Sequence, residues 1–299
     1  MPASMASEGA PPLHRPRTED KGAYVGVLDG KAAIVTGSAR GIGRATAELL
    51  AENGAKVLIN DLDGDVADQT SGQIEGETVA FAGDLTKEGV ADELVNTAVE
   101  AFGQLDIVVN NAGYTWDGPV HKMSDEQFQA MLDIHNVVPF RVLRAAAPHL
   151  REPAKKEREE GREVFRKVVN VSSVSGTMGN AGQANYSSGK SGVVGLTKTL
   201  AKEWGQFKIN VNAVAFGFIE TRLTASKEES NTMEIGGREI QLGIPDQLRQ
   251  MGAMLIPIGR PGTPEEAAGG VFFLCSPWSN FVHGQVLNVT GGQFTGMTT

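Results

Sequence analysis

The sequence predicts a single α/β domain built on a doubly wound parallel sheet. Short runs rich in Val, Ile and Ala alternate with longer helical patterns from Lys31 onward. Several of the runs are almost continuously apolar, as strands buried on both faces must be. The first run ends in a glycine-rich turn, 36–43, that opens directly into a helix. Alternation of this kind gives βαβ units with right-handed crossovers.

Strands are expected at 32–36, 56–60, 78–82, 107–110, 168–171, 209–215 and 286–289. Between them the helical period assigns 41–53, 64–74, 87–102, 125–151, 185–204 and 264–275. Two stretches break the rhythm. Residues 152–166 are dense in Lys, Arg and Glu and are expected to carry a helix on into solvent as a charged face. Residues 218–252 are polar, contain Gly236, Gly237, Gly243 and Pro245, and are expected to form the loop that covers a substrate. Residues 1–27, with four prolines and no continuous apolar core, read as a flexible tail ahead of a domain at 28–299.

The 299 residues and 40% apolar content suit one large globular domain. A net charge of -9 argues against non-specific nucleic-acid binding. Anionic ligands stay open, because backbone amides bind phosphate whatever the net charge. No apolar run reaches membrane-spanning length. The one cysteine, Cys275, lies in an apolar run and reads as a small buried hydrophobe. A single cysteine excludes an intrachain disulfide and fits a reducing, cytoplasmic setting. His14, His121, His149 and His283 lack metal-ligand spacing, so no metal is expected.

The turn Gly37–Ser38–Ala39–Arg40–Gly41–Ile42–Gly43 is the candidate dinucleotide site. Glycines allow positive φ and close approach to a ligand, and the helix that follows offers free amides to a pyrophosphate. Asp61 ends the second strand, where a carboxylate would accept hydrogen bonds from an adenosine ribose. It would repel a 2'-phosphate, so NAD is expected over NADP. Arg40 pulls the other way, since a guanidinium near that ribose could pair with a phosphate. Asp61 is weighted more heavily because it would meet the phosphate directly.

Tyr186 and Lys190 are four residues apart on one helix face. An ammonium beside a phenol stabilises the phenolate and lowers its pKa from about 10. Such a tyrosine can exchange a proton with an alcohol, and the hydroxyl of Ser173 could hold the reacting oxygen. Taken alone, the pair is simply a Tyr and a Lys on an exposed helix. Taken with the 36–43 turn, Asn110–Asn111–Ala112–Gly113 and Ser173, all in order, the chain resembles the short-chain dehydrogenase/reductases. The stretch 176–186 is similar to bacterial-type 3-oxoacyl-acyl-carrier-protein reductases.

That resemblance implies a Rossmann-type sheet of about seven strands in the order 3-2-1-4-5-6-7. It implies that Asn111, Ala112 and Gly113 brace the central strand and approach the cofactor ribose. By the same likeness Asp84 and Leu85 meet the adenine, and backbone around Ile219 with the Thr221 hydroxyl fixes the nicotinamide end. Lys190 would bind the nicotinamide ribose, Tyr186 would manage the proton, and Ser173 would hold the substrate oxygen. A homo-oligomer, dimer or tetramer, is implied through the helix around 128–150 and the one carrying Tyr186.

Two positions depart from the family pattern. His135 falls where the family has a catalytic asparagine, with Asn136 next to it. Its imidazole could stand in for the asparagine in a proton relay to Lys190, or be tied to a backbone carbonyl. Phe216 stands where Pro-Gly is usual and is expected to wall the nicotinamide. The implied activity is NAD(H)-dependent interconversion of a secondary alcohol and a ketone. Substrate candidates are 3-oxoacyl thioesters, steroid-like alcohols and small carbonyls. A dinucleotide-binding sensor or assembly subunit without turnover is the alternative of another class.

Overall fold

A computed structural model describes residues 26–227, 232–235 and 238–293. The expected tail therefore lies outside the described residues except for its last two positions. Seven parallel strands form one sheet: β1 (Ala32–Val35), β2 (Lys56–Asp61), β3 (Thr78–Ala82), β4 (Ile107–Asn110), β5 (Arg166–Ser173), β6 (Ile209–Phe216) and, last in the sheet, β9 (Val286–Val289). Their spatial order is β3-β2-β1-β4-β5-β6-β9, the order the resemblance implied. The order reverses between β1 and β4, which opens a crevice beyond the C-terminal strand ends.

Alternate strand residues face opposite layers. Ala32 and Ile34 pack with Val108, Val168 and Val211 beneath α3 (Val90–Phe102), α5 (Val138–Glu159) and α7 (Ala184–Trp204). Ala33 and Val35 pack with Val57, Val109 and Val214 beneath α1 (Gly41–Glu52) and α9 (Pro264–Cys275). Both faces are thus covered, and the apolar continuity of the strands follows from that. Cys275 is buried in the second layer, and burial pushes its thiol up to about 12. It is the inert hydrophobe the sequence suggests. α2 (Gly64–Gln73) completes the second layer, its start capped by the Asp63 side chain.

Helix α3 begins at Val90, three residues later than expected, because Gly89 has φ 84° and Lys87 N–H closes a turn on Asp84 C=O. The long helix expected at 125–151 is two. α4 (Asp125–Leu132) starts at a capping box made by Ser124 and Gln127. A π-helical turn, Asp133–Val137, joins it to α5. α5 runs to Glu159, so the charged stretch does extend a helix. Its far end is not a solvated face, however. Arg166 and Lys167 enter β5, where buried Arg166 pairs with half-buried Glu157 through two bonds of 2.7 and 2.9 Å. Strand pairing along β6, Arg166 with Ile209 through Ser173 with Phe216, draws the basic residues inward.

The 218–252 stretch is not irregular throughout. β7 (Thr232–Ile235) and β8 (Arg238–Gln241) form an antiparallel hairpin, and α8 (Asp246–Met254) follows. Gly236 and Gly237, expected within the loop, lie outside the described residues. α6 (Val174–Met178) is a short turn of helix between β5 and α7.

Removing the carboxylate of Glu157 leaves the Arg166 guanidinium buried without its partner. Glu157→Ala should cost about 3–5 kcal/mol of unfolding free energy. Urea denaturation followed by circular dichroism measures it, and a change below about 1 kcal/mol would mean the pair contributes no more than a surface ion pair.

Candidate active site

A cavity of ≈ 230 Å³ lies at the C-terminal ends of β1, β2 and β4. Gly37, Arg40, Gly41, Ile42 and Gly43 line one side, Asp61, Asp84 and Leu85 another, and Asn111, Ala112, Gly113 and Thr221 the rest. These are the residues expected to hold a dinucleotide, gathered from five separate segments. The glycines are required sterically. Gly37 has φ 61°, and a Cβ there would fall 2.8 Å from Ala112 Cα. A Cβ on Gly43 would meet Gly37 O at 2.2 Å. α1 begins at Gly41 with no side chain capping its first amides and no acidic residue in its first turn. Free amides and a positive dipole end facing a cavity fit a pyrophosphate.

Asn111 holds this turn in shape. Its Nδ2 donates to both Thr36 O and Gly37 O at 3.0 Å, while Thr36 Oγ1 accepts from the amides of Asn111 and Ala112. Asp84 accepts from the Thr86 amide and hydroxyl at 3.0 and 2.6 Å, which aims the carboxylate at the cavity wall. At the rim, Arg40 is held by two carboxylates: Nη2 lies 3.1 Å from Asp63 Oδ2 and Nη1 3.7 Å from Asp61 Oδ1.

Three expectations need correction. Ser38 does not reach the cavity. It is fully buried, its hydroxyl donating to Val35 O and accepting from the Asn60 amide, and it ties β1 to β2. Phe216 is no wall for a ligand, because strand continuity turns it into the core with Val171, Val214 and Ile219. Ile219 beside it is buried, its carbonyl accepting from Thr224 Oγ1 at 2.5 Å. The third correction concerns Lys190 and Tyr186.

α7 carries both residues and is seated tightly. Asn170 Nδ2 on β5 donates to Thr197 Oγ1, and Asn110 Nδ2 on β4 donates to Asn170 Oδ1. Ser172 Oγ donates to Lys190 O at 2.8 Å. At the first turn, Asn185 Nδ2 reaches Trp116 O and Gln127 O. Ser173, Tyr186 and Lys190 come together as the sequence implied, with the Ser173 hydroxyl near enough to the phenol to work against the rise in its pKa. Lys190 Nζ lies 5.7 Å from the Tyr186 ring centre and donates to Val171 O at 2.7 Å. The expected acidification of the phenol is absent. Burial pushes Tyr186 up to about 12, Ser173 offsetting and Asp117 adding to it. Burial pulls Lys190 down to about 7. Desolvation is the largest cause of the shift in each group.

His135 sits in the π-helical turn, buried, with its ring edge-on to Tyr186 at 4.9 Å and 89°. Its Nε2–H donates to Tyr114 O at 2.9 Å. Burial, with Lys190 nearby, holds its pKa well below 6.5, so the ring is neutral. Asn136 turns away, its amide against Gly192 of α7. Tyr114, Ile134, Leu223 and Leu242 also line the cavity. The Asn110–Gly113 motif running on into an aromatic was the only sequence sign of Tyr114. Leu223 and Leu242 flank a hairpin with no sequence signature.

A seven-stranded dinucleotide crevice beside a Ser–Tyr–Lys cluster defines a nicotinamide-dependent oxidoreductase. A family model described as enoyl-(acyl carrier protein) reductase matches residues 37–293. The chain is 36% identical to a 3-oxoacyl-acyl-carrier-protein reductase of Thermotoga maritima, covering 89% of this chain and 98% of that protein. It is 38% identical to the same-named protein of Aquifex aeolicus over equal shares. An uncharacterized oxidoreductase of Mycobacterium bovis is 36% identical over 90% of this chain and 98% of its own. The chain belongs to the short-chain dehydrogenase/reductases, and it is an oxidoreductase acting on the alcohol–ketone pair. Among the described residues no helix is long and apolar enough to cross a membrane.

The Lys190 shift has a sign that stability can test. The unfolded chain holds this proton up to the ordinary 10.5, whereas the folded site releases it near 7. Lys190 therefore destabilises the fold increasingly as pH falls from about 10 to about 7, levelling off below. Lys190→Met removes that dependence. The melting temperature of the unliganded wild type should rise relative to the variant between pH 7 and pH 9. A constant difference across that range would mean the amine stays charged in the fold.

Proposed function

We propose that the chain reduces 3-oxoacyl thioesters to 3-hydroxyacyl thioesters with NADH, and runs the reverse oxidation when alcohol is in excess. The reading is supported by Ser173 and Lys190 lying beside Tyr186, with the phenol held protonated. A protonated phenol is the form that can give a proton to a ketone oxygen. The ketone oxygen accepts from Ser173 Oγ–H and Tyr186 Oη–H, which fixes the carbonyl and polarises it. When bound, the nicotinamide supplies the hydride for the carbonyl carbon. As negative charge grows on the oxygen, Tyr186 passes its proton across. Lys190, buried behind the ring with a pKa near 7, is suited to return a proton to that tyrosine near neutral pH. The thioester choice rests on likeness to the named relatives. Steroid or small-carbonyl substrates are the competing outcome.

For the cofactor, the acidic rim supports NAD. Asp61 would meet a 2'-phosphate with like charge, and Asp61 and Asp63 together occupy the Arg40 guanidinium that could otherwise receive it. The Asp63 contact is solvent-exposed and therefore weak, so Asp61 is the main discriminator. A homo-oligomer is also proposed, in line with the exposed Phe128 and Phe140 on α4 and α5.

Purified protein should oxidise NADH with acetoacetyl-coenzyme A. Fast turnover of a sterol with none of the thioester would replace the substrate class, and no turnover of any alcohol or ketone despite NADH binding would favour a sensor. Tyr186→Phe should lower kcat by roughly 10²–10⁴-fold with NADH affinity nearly unchanged, as measured by fluorescence titration. Asp61→Ala should move the NADPH/NADH ratio of kcat/KM toward NADPH by about tenfold or more, since it removes the repelling charge and releases Arg40. An unchanged ratio would mean selectivity lies elsewhere.

A further inference from the structure

His135 is the buried polar group that the mechanism above leaves without a task. Its surroundings are unusually confined. A Cβ on Gly113 would fall 2.4 Å from His135 Cε1 and 2.9 Å from Nδ1. A Cβ on Gly189 would fall 2.9 Å from His135 Cβ and from Met131 O. The ring therefore fills a slot that exists only because both neighbours, one at the exit of β4 and one on α7, are glycines. π-helical turns inside helices recur at functional sites, and this one projects His135 into the slot.

The ring cannot slide or rotate within it. Tyr114 O can only accept, so Nε2 must carry the proton and the neutral ring is fixed in one tautomer. Nδ1 is then a bare acceptor, buried and without a donor among the described groups. A proton relay needs both nitrogens to exchange protons, and here one is committed to a carbonyl. What the ring does touch is Tyr186, edge to face at 4.9 Å. Edge-to-face contact at that spacing is the favoured aromatic geometry.

We propose that His135 is a positioning residue for the Tyr186 phenol: the imidazole, tethered to the Tyr114 carbonyl, is the wall that holds the Tyr186 ring so that its hydroxyl stays beside Ser173. The proposal rests on Tyr186 being the proton donor of the proposed reduction. It couples three segments, the β4 exit through Tyr114, the π turn through His135 and α7 through Tyr186. Displacing a reacting group by about 1 Å can cost about 10²-fold in rate.

Three variants of the full chain separate the parts of this role. His135→Ala removes ring and tether, His135→Gln keeps a donor for Tyr114 without a ring, and His135→Phe keeps a ring without a donor. With acetoacetyl-coenzyme A and NADH, Ala and Gln should each lose roughly 10–100-fold in kcat while KM and NADH affinity hold. Phe should recover most of kcat, though with a lower melting temperature. A second readout needs no turnover. The chain has three tyrosines, Tyr24, Tyr114 and Tyr186, so ring-labelled tyrosine gives a resolvable NMR spectrum. The Tyr186 signals, assigned by Tyr186→Phe, should shift on His135→Ala and return toward wild type on His135→Phe. Wild-type kcat in the Ala variant overturns the proposal. So does a folded Phe variant as slow as Ala, or an Ala variant whose losses in kcat, NADH affinity and melting temperature come together. If wild type itself turns over nothing, the proposed reaction fails, and the NMR shifts still decide whether His135 sets the ring.

Discussion

The seating of α7 on the end of β5 governs the chemistry of this molecule. A Cβ on Gly176 would lie 2.6 Å from Lys190 backbone and side-chain atoms, so α6 and α7 touch almost backbone to backbone. The contact is locked by Ser172 Oγ on Lys190 O and by Lys190 Nζ on Val171 O. A buried amine and a half-buried phenol are thereby held together, and their charges become expensive. Both are driven toward their neutral forms, Lys190 to about 7 and Tyr186 to about 12.

In the proposed reduction, a neutral phenol beside Ser173 is the form that can give a proton. Oxidation would require the phenol to lose its proton first, and positive charge near the ring would favour that loss. The surroundings of Tyr186 thus favour the protonated phenol. The neutral His135 beside Tyr186 belongs to the same design, since a cation there would stabilise the phenolate.

Much of the fold was legible in advance, because parallel strands buried on both faces leave an unmistakable apolar rhythm. The glycine turn, Asp61, Asn111 and the Ser173–Tyr186–Lys190 set could be read because each type answers a local demand: close approach, ribose binding, proton transfer. The misreadings have one cause, that burial depends on partners distant in sequence. Arg166 looked like surface until β6 and Glu157 enclosed it. Ser38 and Phe216 sit in stretches rich in functional signals, but the hydroxyl bonds of Ser38 to β1 and β2 and the strand geometry of Phe216 turn them inward. Desolvation of Tyr186 and Lys190 was invisible for the same reason, since spacing along a helix says nothing of what covers it. The 232–241 hairpin had no alternation strong enough to announce it.

The central claim is that hydride and proton meet at one carbonyl beside Tyr186. Transfer of label tests it most directly: NADH carrying deuterium at the reactive carbon, mixed with acetoacetyl-coenzyme A and the wild-type protein. Mass spectrometry should find one deuterium on the new carbinol carbon of the 3-hydroxy product, with none on its hydroxyl. Product with hydrogen from solvent at that carbon, or NADH consumed with no 3-hydroxy product formed, would contradict it.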